Sequence, residues 1–191
     1  MKRASHIFET MKRPVRGFAR KFANDTEGMA AVEFAMIFPL MLTLYFGAAE
    51  LSQGIGADRK VTITARTVGD LVSQVTSINN ADMTNSLNAA AAVMAPYPVA
   101  NVKVTVSSVV IDSSGKATIA WSDTLNGTAR SKGAVVTLPA ALAVPSTSLI
   151  WSEVQYSYKP TVGYVVTGTL TLQDYIYMRP RLADSVTRVN S

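Results

Sequence analysis

The chain contains no cysteine among its 191 residues. Disulfides, thiolate metal sites, a cysteine nucleophile and a lipoprotein anchor are therefore excluded. The only histidine is His6, inside a basic tail, so a metal centre or a Ser-His dyad would have to use a residue far from any pocket. A Walker A loop and a Gly-x-Ser-x-Gly elbow are both absent. "GIG" at Gly54–Gly56 lacks the rest of a dinucleotide fingerprint and comes after an apolar helix instead of a strand, so it reads as a flexible spot. Charged residues make up only 16% of the chain, and 48% are hydrophobic, which excludes a disordered polyelectrolyte. No catalytic residue, cofactor site or metal site is expected.

The formal net charge of +5 is concentrated near the start. Residues 1–28 hold seven Lys/Arg and three acids, whereas residues 51–191 hold eleven and eight. Nucleic-acid binding needs clustered cations with interleaved aromatics in the folded region. Here those charges are scattered singly, so no nucleic-acid partner is expected.

Four stretches make up the chain. Residues 1–28 form a basic cytoplasmic leader suited to anionic headgroups. Residues 29–51 form a membrane-spanning helix, with Phe34–Ala49 free of charge. At 1.5 Å per residue, such a helix crosses roughly 30 Å, about one hydrocarbon core. The positive-inside rule puts the leader in the cytoplasm and exports residues 52–191, giving a single pass through the bacterial inner membrane. Pro39 is tolerated there as a kink.

Residues 52–95 continue as a helical stalk and a short helix over Met83–Met94. The glycines permit a break near 54–57. Val61, Ala65, Val68, Val72 and Val75 form a narrow apolar stripe, and Asn80–Ala81–Asp82 reads as a turn or cap. Residues 96–191 form a β-rich exported domain. There "VKVTVSSVVID" and "KATIAWSD" flank "SSG", a hairpin signal. "GAVVTLPAALAVP" reads as a short strand and a loop, and "LIWSEVQYSYKP" and "GTLTLQDYIYMRPR" as two more strands. The fold class is α+β: a long N-terminal helix and then an antiparallel sheet of four or so strands.

Glu33 is the one acid early in the apolar run, "GMAAVEFAMIFPLMLTLYFGAAE". It lies five residues after Gly28 and behind a basic leader. With Gly28, Val32–Glu33–Phe34, Pro39, Gly47 and Glu50, this stretch resembles the N-terminal region of TadE-like proteins, minor pseudopilins of the tight-adherence (Flp-type) pilus. "EVQYSYKP" and "DYIYMRPR" resemble the distal part of such chains more loosely.

The resemblance implies that a prepilin peptidase cuts between Gly28 and Met29. It implies that Glu33 then pairs with the new Met29 amine during assembly, beside Phe34. The implied partners are the membrane, the peptidase, the major Flp-type pilin, other minor pseudopilins and the inner-membrane assembly platform. Whether the protein stays in the membrane or enters the fibre is left open.

Two other readings stand beside this one. Gly47–Ala48–Ala49 has small residues where signal peptidase reads them, and release after Ala49 would leave a soluble periplasmic binding module. Tyr156, Tyr158, Tyr164, Tyr175 and Tyr177, with Trp121 and Trp151, would line a carbohydrate groove in an enzyme. Aromatics in antiparallel strands more often pack the sheet, and the carboxylates are scattered, so an enzyme is not expected.

Overall fold

A computed structural model describes residues 26–160, 163 and 168–189. The basic leader falls almost wholly outside the described residues, as does Tyr164. Helix α1 is Thr26–Ser73 and helix α2 is Asn80–Ala92. The strands are β1 (Ser77–Ile78), β2 (Val102–Ile111), β3 (Ala117–Leu125), β4 (Val135–Val136), β5 (Thr147–Tyr158), β6 (Leu170–Met178) and β7 (Thr187–Arg188). Two compact units divide the chain, Met1–Ala48 and Ala49–Ser191.

In the second unit, β4-β3-β2-β5-β6 form a five-stranded antiparallel sheet, and β1 and β7 make a separate parallel pair. The β2–β3 turn is built by Asp112, whose Oδ1 accepts from the Ser114 amide at 2.8 Å and the Lys116 amide at 3.0 Å. Gly115 supplies the left-handed backbone at φ 83°. This is the hairpin that "SSG" predicts.

Alternation sorts the sheet into two faces. Val102, Val104 and Val106 are fully buried against α1 and α2, in one cluster with Val154, Tyr156 and Tyr158. The apolar stripe of α1 belongs to the same cluster: Val61, Val68 and Val72 are 0% exposed. Its destination is the chain's own sheet. The helix comes close because Gly69 faces β5 and β6. A Cβ there would lie 3.1 Å from Ser152 Oγ and 3.3 Å from Met178 Sδ. One turn earlier, the buried Ser152 hydroxyl donates to the Ala65 carbonyl at 2.5 Å.

A bulge interrupts the β2–β3 register between Ser108 and Val109: Ser108 faces Trp121, but Val109 faces Ile119. The extra residue turns Trp121 toward the helices and Ile119 toward the opposite face. Trp121 there donates its indole N–H to the Val186 carbonyl at 2.7 Å. Ile119 joins Val109, Ile111, Leu138 and Leu149 in a second cluster.

The structure departs from the sequence expectations in three places. The break that the glycines permit near residues 54–57 does not occur, since α1 is continuous through both glycines. The cap of α2 is Asn79, whose side chain accepts from the Asp82 amide at 2.8 Å, one residue before the expected turn. The two-residue strands β1 and β7 carry too little pattern to be seen in the sequence.

Candidate functional site: the acid-bearing apolar helix

Residues 28–48 of α1 are apolar except for Glu33 and are largely exposed. The helix is long and apolar enough to cross a membrane, and none of its most apolar window is buried. That is compatible with a single-pass membrane anchor. Met29 is 60% exposed and Phe34 is 59% exposed. Phe34 and Phe38, one turn apart, tilt together with ring centroids 5.3 Å apart. Pro39 lies inside the helix. Its carbonyl accepts from Thr43 Oγ1 at 2.8 Å, a bond that keeps the threonine's polar group satisfied in an apolar setting.

Gly28 is in the first turn of the helix, and Glu33 is exposed one turn after Met29. Side chains on an α-helix lean toward its N-terminus. Glu33 at i+4 therefore leans back toward the backbone of Met29. Sequence spacing identifies both residues, and the helix puts them on one face.

Glu50 has a different setting. It is 4% exposed and belongs to the second unit. Burial raises the pKa of the neighbouring Tyr158 above the ordinary 10.0, and Tyr97 and then Glu50 add to the rise. Tyr158 packs by Gly54, where a Cβ would sit 3.7 Å from its Cε1. Tyr97 packs by Gly56, donates its hydroxyl to the Gln53 carbonyl at 3.0 Å and lies 6.0 Å from Tyr156, edge to face. So "GIG" is a seat for tyrosines. No sequence signal marks it, because the tyrosines come from segments forty or more residues away.

Residues 28–70 match the family model described as TadE-like protein. The chain carries a TadE-like segment. No curated protein and no solved structure matches the chain. The TadE-like segment takes in Gly28, Met29, Glu33, Phe34, Pro39, Gly47 and Glu50. It runs on through the packed stripe to Asp70, and stops before the sheet.

The aromatic residues divide between the two faces of the sheet. Trp121, Tyr156 and Tyr158 belong to the helix-side core. Trp151 and Tyr177 pack on the opposite face, with Tyr175 beside Tyr177. The six described aromatics of the seven named from the sequence therefore do not line one groove. Among the described residues, no group of three or more His, Asp or Glu side chains has the arrangement of a metal site.

Proposed function

We propose that the chain is a minor pseudopilin of a tight-adherence (Flp-type) pilus, cut after Gly28 by a prepilin peptidase. The TadE-like segment points to that pilus system. The observation that carries the finer reading is Glu33: the one acid in the apolar stretch between Gly28 and Glu50, exposed, and one turn from the residue that cleavage would make N-terminal. An unpaired charged acid costs about 2.5–3.5 kcal/mol at mid-bilayer and less near the membrane edge, where Glu33 would lie, until packing among other helices removes its water. A free Met29 amine in the same or a neighbouring chain would offset that cost and fix the register of packing.

Gly28 would also ease the cut. The scissile bond lies in the first helical turn, which a protease must unwind. Glycine lowers helix stability by about 1 kcal/mol relative to alanine, so that turn opens more easily. Release by signal peptidase after Ala49 fits less well: the bond would fall inside continuous helix, next to the buried Glu50. The protein is in this reading a substrate of processing with structural partners, namely the major pilin, other minor pseudopilins and the assembly platform, and it carries no catalysis of its own.

Cells expressing Gly28→Leu and Glu33→Ala test the reading. Gly28→Leu is expected to retain its leader by intact mass. Glu33→Ala is expected to be cut largely as normal, to accumulate in the inner membrane and to support few surface pili by electron microscopy. Normal piliation with Glu33→Ala would remove the assembly role, and a normal cut in Gly28→Leu would remove the peptidase.

A further inference from the structure

The sheet face away from the helices carries a row of aromatics, two half-buried and one exposed. Trp151 and Tyr177 pack together with centroids 5.4 Å apart, and Tyr177 meets Tyr175 edge to face at 5.8 Å. Tyr175, the outermost, is 60% exposed. The Arg130 guanidinium stacks 3.8 Å from the Trp151 ring centroid and forms an ion pair with Glu153. Glu153 lies directly across from Tyr175 in the β5–β6 register, and Gln155 directly across from Gln173. Beside this row lies an open groove of about 460 Å³, lined by polar side chains and one glycine, including Lys103, Glu153 and Gln155.

We propose that this face binds a saccharide, with one sugar ring stacked on Tyr175 and its hydroxyls held by Gln155, Gln173, Lys103 and Glu153. The chemistry of the lining selects this ligand class. A sugar offers an apolar ring face and a rim of hydroxyls that donate and accept. Tyr175 meets the first need, and its edge contact with Tyr177 limits the motion that binding would have to freeze. The two amides and the unused Glu153 oxygen meet the second. Gln155, Gln173 and Lys103 are exposed, and their side chains make no hydrogen bond among the described residues. Same-face neighbours two residues apart along adjacent strands are about 7 Å apart, a spacing one sugar ring bridges.

Other ligand classes fit less well. A protein partner would be expected to meet a broad apolar centre, whereas Trp151 and Tyr177 are half-buried and the groove beside Tyr175 is polar. Nucleic acid would need several free cations, whereas Glu153 neutralises Arg130 and leaves Lys103. The face lies opposite the helices and is tested by binding alone, so the outcome is independent of the pilus reading.

The test uses the full chain in lipid nanodiscs, titrated with chitotetraose, cellotetraose, mannotetraose and galactotetraose. Calorimetry and tryptophan fluorescence give the affinities. Saturable binding of at least one of them is expected. Tyr175→Ala and Gln155→Ala should each weaken it by about ten-fold or more, with an unchanged thermal midpoint as the check on folding. Tyr175→Phe, which keeps the ring, should bind within about three-fold of the parent chain. Leu182→Ala, exposed outside the groove, should have no effect. No saturable binding of any of the four up to about 10 mM would overturn the proposal, as would binding that survives Tyr175→Ala or fails in Tyr175→Phe.

Discussion

Gly54 and Gly69 are both interior to α1, and alanine at either position gains about 1 kcal/mol of helix propensity. Their surroundings give the two substitutions opposite signs. At Gly54 the new methyl would meet only Tyr158 Cε1 at 3.7 Å, an ordinary contact. At Gly69 it would meet Ser152 Oγ at 3.1 Å, and that hydroxyl is held by the Ala65 carbonyl. Moving it breaks a buried hydrogen bond, and overpacking adds about 1–3 kcal/mol. Gly54→Ala should raise the thermal midpoint of the chain in detergent, and Gly69→Ala should lower it. The sequence shows both glycines but not this difference, because the deciding atom of Gly69 is on β5. Glu33 is the contrary case. Its proposed partner is one helical turn away, so the pairing is legible from spacing.

Among the elements, the long strands and the two helices are legible from periodicity, and the hairpin from its turn residues. The faces of β3 are not. Strict alternation puts Ile119 and Trp121 on the same side, and the bulge separates them into different clusters. A bulge is one residue of mismatch between two strands, so neither strand read alone contains it. The proposed saccharide-binding row is hidden for the same reason: Glu153 and Tyr175 become neighbours only through the β5–β6 register. The stripe of α1 gives a direct test of packing. Val61, Val68 and Val72 each bring about 1.5–3 kcal/mol by burial. Together they approach the whole margin of a typical domain, about 5–15 kcal/mol. A fragment beginning at Asn80 should therefore show no cooperative unfolding in a denaturant titration, while one beginning at Ala49 should unfold in a single transition. Equal stability of the two would mean that the stripe serves a partner instead.

At the scale of the whole molecule, buried tyrosines set the alkaline limit of stability. Burial is the main cause that raises the pKa of both Tyr156 and Tyr158 above the ordinary 10.0. A raised value in the folded state means that the unfolded chain ionises first. Stability is then complete below about pH 10 and falls as pH rises through the folded values. The thermal midpoint should be level from about pH 7 to pH 9 and drop above about pH 10. Tyr158→Phe should reduce the drop at little cost near neutral pH, because the Tyr158 hydroxyl is buried without a hydrogen-bond partner. The pairing of β7 with β1 has a further consequence, one of timing. Ser77 and Thr187 are register partners, the Trp121 indole needs the Val186 carbonyl, and Arg188 reaches Asp123 at 2.9 Å and Asn80 at 2.6 Å. Each of these bonds joins residues made early to residues made late. The core therefore stays open on one side until the chain has been synthesised through Arg188. A nascent chain that has not yet reached Arg188 cannot close that side of its core, so folding of this unit waits on synthesis through β7.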